Sequence, residues 1–137
     1  MYRRVFLPPD KESYFLFGPR GTGKSTFLKE TYPNAKLFNL VLESRYQSLL
    51  ADAQLFYEEI EALGKPTTVV IDEVQRLPSL LNDVHELIEQ KKHRFVLTGS
   101  SARQLKRSGV NLLAGRAWRR EMHPFLPEEL GADFLLN

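Results

Sequence analysis

One nine-residue stretch has the residue types and the spacing that are needed to hold phosphate. It consists of Gly18, Pro19, Arg20, Gly21, Thr22, Gly23, Lys24, Ser25 and Thr26, and its first eight residues fit the pattern G-x-x-x-x-G-K-[ST]. Its glycines allow backbone angles that are closed to other residues, so that successive N–H groups can form an anion nest in front of a helix dipole. An apolar run precedes the stretch and a predicted helix follows it. This setting favours a phosphate-binding P-loop over an ordinary glycine turn.

The side chains of this loop predict different roles in binding a nucleotide. Lys24 is the charge expected to reach the β- and γ-phosphates, and the Ser25 hydroxyl is the expected ligand of Mg²⁺. Thr26 either bonds the α-phosphate or caps the turn. Arg20 either contacts phosphate or pairs with a carboxylate outside the site.

A second candidate is the acidic pair Asp72-Glu73, which directly follows the β-branched strand predicted at 67–71. A carboxylate at the end of an apolar strand needs a cation, and Mg²⁺ shared with Ser25 would supply one. We interpret Val-Val-Ile-Asp-Glu as a Walker B motif, over the alternative that Asp72 only caps the next element. Glu73 is predicted to activate water, provided that the strand has ended, since adjacent strand residues point in opposite directions.

Two further segments carry candidates for the γ-phosphate. The turn predicted at 98–101 offers Ser100, which either bonds the γ-phosphate or the attacking water, or caps the next helix. Arg116 follows a glycine just before the last predicted strand. It either stabilises transition-state charge, within this chain or across to a neighbour, or is an ordinary surface residue.

Strands alternate with helices along the chain, which predicts an α/β fold with a mostly parallel sheet. The candidate clusters all follow predicted strands, so they should meet at the edge where such sheets bind ligands. The predicted strands cover 14–17, 35–40, 67–71, 95–97 and 116–122. The predicted helices cover 24–31, 45–51, 52–63 and 78–92. Asp52 is expected to cap the third helix, and Pro78 is expected in the first turn of the fourth, which ends near 91–92. Residues 1–12 are predicted as a lead-in with a small edge strand at 3–7, and short helices are predicted between 102 and 114.

Length and composition predict a single domain spanning residues 1–137. The chain is 42% hydrophobic and 26% charged, within the globular range. It has no cysteine and no apolar run long enough to cross a membrane, so the cytoplasm is the default compartment. The net charge is +2, and although arginines crowd the later part, no nucleic-acid motif accompanies them. The three histidines show no metal-binding spacing and are interpreted as structural.

Five motifs in order resemble the AAA+-type ATPases, most closely the prokaryotic branch labelled "predicted ATPase". They are Gly-Pro-Arg-Gly-Thr-Gly-Lys-Ser-Thr, Val-Ile-Asp-Glu-Val-Gln-Arg-Leu-Pro, Leu-Thr-Gly-Ser-Ser-Ala, Leu-Ala-Gly-Arg and Pro-Phe-Leu-Pro-Glu-Glu. The resemblance implies a five-stranded P-loop sandwich with strand order 5-1-4-3-2. It also implies that Lys24 and Ser25 act as Walker A, Asp72 and Glu73 as Walker B, the 98–101 turn as the sensor region and Arg116 as a candidate arginine finger.

Members of that group continue into a helical lid, whereas this sequence stops at Asn137. The expectation is therefore an ATPase core without its lid, which offers its C-terminal side to a protein partner or to another copy. The predicted activity is Mg²⁺-dependent binding and hydrolysis of ATP to ADP. The alternative is a nucleotide-dependent binding module with negligible hydrolysis. A small-molecule kinase is disfavoured because no arginine-rich lid insert is visible, and a GTPase because the sequence has no Asn-Lys-x-Asp motif.

Overall fold

The computed structural model describes residues 12–18, 23–100 and 118–121, which form an α/β fold around a parallel five-stranded sheet. The predicted order 5-1-4-3-2 is confirmed, since the strands lie in the order β2-β3-β4-β1-β5. Their bounds are β1 Tyr14–Phe17, β2 Lys36–Asn39, β3 Thr68–Asp72, β4 Arg94–Gly99 and β5 Trp118–Glu121.

Helices cover both faces of this sheet, which explains why its central strands are continuous apolar runs. On β1, Tyr14 and Leu16 face one layer, whereas Phe15 and Phe17 face the other. The first layer contains α1, and the second contains α2, α3 and α4. The helices are α1 Lys24–Thr31, α2 Glu43–Ala51, α3 Leu55–Glu61 and α4 Leu80–Glu89. Within the described ranges, no helix has the length and apolarity to cross a membrane.

The start of α3 differs from the prediction of a helix from Asp52. The Asp52 side chain does not cap α3: it accepts the N–H of Gln54 over 2.9 Å and thereby forms a tight turn ahead of the helix. The N–H of Leu55 bonds the Asp52 carbonyl over 3.1 Å, and the helix begins only there. A local side-chain bond has therefore replaced the first helical turn.

The bounds of α4 also differ from the prediction. Pro78 does not lie in the helix: it belongs to a turn that follows a short 3₁₀ helix, Val74–Arg76, and its carbonyl accepts the N–H of Leu81 over 2.9 Å. At the other end α4 stops at Glu89, before the predicted 91–92. Lys91 adopts a left-handed backbone with φ 59°, which cannot continue a right-handed helix.

The turn predicted at 98–101 is a strand over its first half, because Thr98 and Gly99 belong to β4. The predicted last strand is confirmed over Trp118–Glu121, where it pairs with β1. The predicted edge strand at 3–7 and the short helices between 102 and 114 lie outside the described residues, as does most of the lead-in.

Candidate functional site

The predicted polar clusters meet at the carboxyl-terminal edge of the sheet. There β1 ends at Phe17, β3 at Asp72 and β4 at Gly99. Phe17 pairs directly with Gly99, and the next N–H along the chain, at Gly18, donates to the Gly99 carbonyl over 3.2 Å. The loop after β1 and the turn after β4 therefore start side by side, at the edge where ligands bind to parallel sheets.

The chain enters α1 through Gly23, whose φ of 87° and ψ of 17° are open to glycine and strained for other residues. Gly23 has no side chain to cap the helix, and the first turn of α1 contains no acidic residue. No acidic side chain of this turn therefore competes with an anion for the positive end of the helix dipole. Ser25 and Thr26 lie exposed in this turn. Pro19, Arg20, Gly21 and Thr22, also predicted to bind phosphate, lie outside the described residues.

Lys24 is buried at the centre of the site, with only 6% of its surface exposed. Its Nζ donates to the carbonyl oxygens of Gly18 and of Gly99, the latter over 3.2 Å. The same Nζ lies 3.7 Å from Oε2 of Glu73. The lysine nitrogen therefore contacts two neutral acceptors at the ends of β1 and β4 and one more distant carboxylate.

Asp72 is held from two sides by hydroxyl groups. Its Oδ1 accepts a 2.6 Å bond from Oγ1 of Thr98, and its Oδ2 accepts a longer, 3.4 Å bond from Oγ of Ser25. Thr98 is fully buried, so the first of these bonds is shielded from water. The carboxylate consequently keeps one firmly fixed oxygen and presents the other to Ser25.

Glu73 reaches the site because the strand ends one residue before it. It adopts a left-handed backbone, with φ 61° and ψ 54°, which is rare for a residue with a side chain. Its N–H donates to Oγ1 of Thr98 over 2.9 Å. In a continued strand the side chain would point to the opposite face from Asp72; instead its carboxylate faces Lys24.

The carboxylate of Glu73 is buried and bound by two side chains from neighbouring segments. Its Oε1 accepts a 2.6 Å bond from Nε2 of Gln75 and a 3.2 Å bond from Oγ of Ser100. Ser100 thus contacts the acid rather than serving only as a helix cap. Arg116, the remaining predicted catalytic residue, lies outside the described residues.

Sequence reasoning gave no individual role to two residues that organise these acids. Thr98 bonds both the Asp72 side chain and the Glu73 backbone. A buried hydroxyl inside an otherwise apolar strand is the signal that could have identified it. Gln75 had no comparable signal, because its contact with Glu73 depends on the intervening backbone.

A cleft of about 320 Å³ lies beside the Ser25–Asp72 pair, between α1 and strands β2 and β3. Its walls include apolar side chains of α1 and of the sheet, among them Leu28, Leu37 and Val70. Because both Ser25 and Asp72 line it, the space beside them is accessible from solvent.

The donor atoms of Ser25 and Asp72 suit Mg²⁺. Mg²⁺ prefers oxygen ligands at about 2.0–2.1 Å and usually takes only one or two carboxylates, together with water and substrate phosphates. The 3.4 Å between Oγ of Ser25 and Oδ2 of Asp72 is compatible with two such ligands. Among the residues the structure describes, no group of three or more His, Cys, Asp or Glu could hold a metal.

One of two comparisons with known proteins gives a match, and it agrees with this geometry. A search of the curated proteins finds no match. A family model described as an AAA domain matches residues 10–131, which include the loop, the acidic pair and the end of β4. The chain therefore belongs to the AAA domain family and is a nucleotide-binding, ATPase-like module of the P-loop type.

Proposed function

We propose that the chain binds ATP with Mg²⁺ at this edge of the sheet and hydrolyses the bond between the β- and γ-phosphates. The observation that carries the proposal is the left-handed backbone of Glu73, which turns a buried carboxylate toward a buried lysine. Both the backbone conformation and the buried charges are unfavourable in themselves. Such strain is typical of residues that do chemistry.

Lys24 is the proposed ligand of the β- and γ-phosphates. Its present partners include two backbone carbonyls, which are weaker acceptors than charged phosphate oxygens. Phosphate oxygens can therefore replace these carbonyls as partners of Lys24, whose Nζ also lies 3.7 Å from Oε2 of Glu73. The N-terminus of α1 and the loop at 18–23 would supply N–H groups to the same phosphates, with Thr26 and Ser100 at their margin.

Ser25 and Asp72 are the proposed ligands of Mg²⁺. When bound, the ion would neutralise phosphate charge that develops during the reaction. Thr98 supports this assignment, because it donates to Oδ1 of Asp72 and so leaves Oδ2 for the metal.

Glu73 is the proposed general base. Once phosphate has taken Lys24, Oε2 of Glu73 loses its cation and can accept a proton from water. The water oxygen then bonds to the γ-phosphorus, the bond from phosphorus to the bridging oxygen breaks, and ADP and phosphate leave. Two donors hold Oε1, which supports Oε2 as the oxygen that takes the proton.

Arg116 is proposed to stabilise the charge of this transition state, either within the chain or in a second copy. Mixing an Arg116→Ala chain with a Lys24→Ala chain tests the second case, because each chain lacks what the other retains. Recovered hydrolysis supports action between chains, whereas no recovery at any ratio removes that possibility.

The alternative function is a nucleotide-dependent binding module that presents a surface to a protein partner. The contact between Lys24 and Glu73 supports this alternative under one condition. If the two charges stay together after ATP binds, Glu73 cannot serve as a base, and the chain would bind ATP without hydrolysing it. Both proposals predict binding, and they differ in turnover.

The deciding experiment measures phosphate release from ATP, with Mg²⁺ and with the metal chelated. We expect Mg²⁺-dependent turnover that falls about 100-fold or more in Glu73→Gln, since general bases contribute that much. The matched control is Glu58→Gln, an exposed glutamate on α3, which should keep the wild-type rate. No turnover by the wild type in Mg²⁺, despite ATP binding, would favour the binding module.

A further inference from the structure

Gln75 is the best-defined neighbour of Glu73, and neither the loop motif nor the acidic pair accounts for it. It lies in the 3₁₀ helix Val74–Arg76, two residues after the acid. Its Nε2 donates to Oε1 of Glu73 over 2.6 Å, shorter than the 3.2 Å bond from Ser100 to the same oxygen.

The chemistry of the pair fixes which end of the amide faces the acid. A carboxylate accepts hydrogen bonds and does not donate them, so the amide nitrogen of Gln75 must point toward Glu73 and its oxygen away. With Gln75 and Ser100 both on Oε1, the other oxygen, Oε2, is the one that faces Lys24. Within the described residues, hydrogen bonds from two side chains thus fix Oε1, while Oε2 lies 3.7 Å from the lysine nitrogen.

The oxygen of Gln75 occupies space that only a glycine at position 99 leaves free. A Cβ on Gly99 would lie 2.9 Å from Oε1 of Gln75, closer than real Cβ contacts. Gly99 lies in a regular strand, so the glycine is needed here for room rather than for an unusual backbone. Oε1 of Gln75 is buried without a hydrogen-bond partner among the described residues, whereas Nε2 of the same amide is bonded to Glu73.

We propose that Gln75 is a positioning residue for ATP hydrolysis. It holds Oε1 of Glu73 so that Oε2 stays directed toward the attacking water when Lys24 moves to the phosphates. This inference rests on the proposed function and names a residue that acts only through Glu73. Gln75 is therefore expected to affect the chemical step and not the binding of nucleotide.

The first test is Gln75→Met, which keeps the length of the side chain and removes its donor. We expect kcat for ATP hydrolysis to fall about tenfold, the equivalent of one hydrogen bond to a charged group, while KM and the Kd for ATP stay within about twofold. The matched control is Gln47→Met. It removes a similar amide–carboxylate bond, 2.8 Å from Gln47 to Glu43 on exposed α2, and should leave kcat unchanged.

The second test uses the contact with Gly99 to show that the position of the amide is what matters. Gly99→Ala keeps the carbonyl that binds Lys24 but pushes the Gln75 amide away, so it should also lower kcat. In a Gln75→Ala background that clash is gone, and Gly99→Ala should have no further effect. If Gly99→Ala instead lowers kcat by the same factor in the wild type and in the Gln75→Ala background, the two residues are not coupled and the proposal is contradicted.

The outcomes separate this inference from the proposed function. If the wild type hydrolyses ATP and Gln75→Met retains its kcat, the positioning role is wrong and the proposed function stands. A parallel loss of kcat and of ATP affinity would also overturn it, since that result indicates a damaged fold. If the wild type binds ATP but does not hydrolyse it, both proposals fail together.

Discussion

Two ion pairs of this molecule have opposite designs. In one, Glu59 of α3 accepts two bonds from Arg45 of α2, at 2.9 and 2.6 Å, and also pairs with Lys36 of β2 at 2.9 Å. In the other, Lys24 and Glu73 are more deeply buried, yet their charged atoms stay 3.7 Å apart. The contact of Glu59 with Arg45 and Lys36, called the tight pair below, joins three elements of the scaffold. The contact of Lys24 with Glu73, called the loose pair, lies at the edge of the sheet where the proposed reaction takes place.

The difference shows how burial and bonding geometry separate a scaffold contact from a site. Hydrogen bonds from Arg45, together with Lys36, hold the pKa of Glu59 at about 2, so this carboxylate is charged at every physiological pH. Lys24 divides its contacts between backbone carbonyls and an acid, and Glu73 divides its contacts among Lys24, Gln75 and Ser100. Contacts shared in this way can be exchanged for those of a ligand.

The largest expected effect is on nucleotide affinity. Lys24→Ala removes the cation of the loose pair and should weaken ATP binding by about 100-fold or more, because a buried charge partner is worth several kcal/mol. Isothermal titration calorimetry measures this directly. Lys36→Ala, which removes a lysine from the tight pair, is the control and should bind ATP normally. Unchanged affinity in Lys24→Ala would show that the loose pair is not a phosphate site.

The next effect is on stability at the site itself. Thr98→Val keeps the shape of the side chain but removes the hydroxyl that bonds both Asp72 and the N–H of Glu73. We expect the free energy of unfolding to fall by about 2 kcal/mol, since two buried polar groups lose their partner. Urea denaturation measures this, with Thr67→Val, whose hydroxyl bond is exposed, as the near-neutral control. An equal effect of the two substitutions would argue against an ordered network around the acids.

The tight pair should make the stability of the protein depend on pH in the acid range. The folded pKa of Glu59, about 2, lies below its ordinary value of 4.5, so its stabilisation is complete above pH 4.5 and is lost as the pH falls toward 2. Glu59→Gln should cost roughly 1 kcal/mol at pH 7, because the pair is partly open to solvent. Unfolding followed between pH 5 and pH 3 should depend less on pH in this variant than in the wild type. ATP hydrolysis at pH 7 should not change, and a loss of turnover would break the contrast between the two pairs.

The smallest effect is expected at the opposite edge of the sheet, where His93 precedes β4. Burial, and next the charge of Lys92, lower the pKa of His93 below 6.5. Its Nδ1 accepts the N–H of Thr67 over 3.1 Å, which requires the neutral ring. Stability from His93 is therefore present above pH 6.5 and falls as the pH drops below it. In His93→Gln, thermal unfolding between pH 7 and pH 5.5 should lose this part of its pH dependence; an identical slope would assign it to other groups.

The sequence predicted most where the signal is local. The bounds of β1, Tyr14–Phe17, and of α1, Lys24–Thr31, agree with the prediction because an apolar run, a glycine loop and a proline-centred turn follow one another directly. The strand order came from a resemblance that covers most of the chain, and the paired strands agree with it. The predicted clusters at Gly18, Asp72 and Ser100 lie together because each is at the carboxyl-terminal end of a strand in one parallel sheet.

What the sequence could not predict depends on single torsions and on distant pairs. The direction of Glu73 follows from one backbone angle, which no pattern in the neighbouring residues specifies. The bond from Thr98 to Asp72 joins residues 26 positions apart. The helical turn expected after Asp52 is replaced by a turn in which the Asp52 side chain accepts the N–H of Gln54. Such a local bond is close in energy to a turn of helix, so the sequence alone does not decide between them.

The most direct test of the central claim is the identity of the nucleotide that stays bound after incubation with ATP and Mg²⁺. We predict that wild-type protein yields ADP, whereas Glu73→Gln binds as much nucleotide and yields ATP, as separated by ion-exchange chromatography after denaturation. Equal amounts of ADP from both proteins would contradict the account, because Glu73 would then not be the group that activates water.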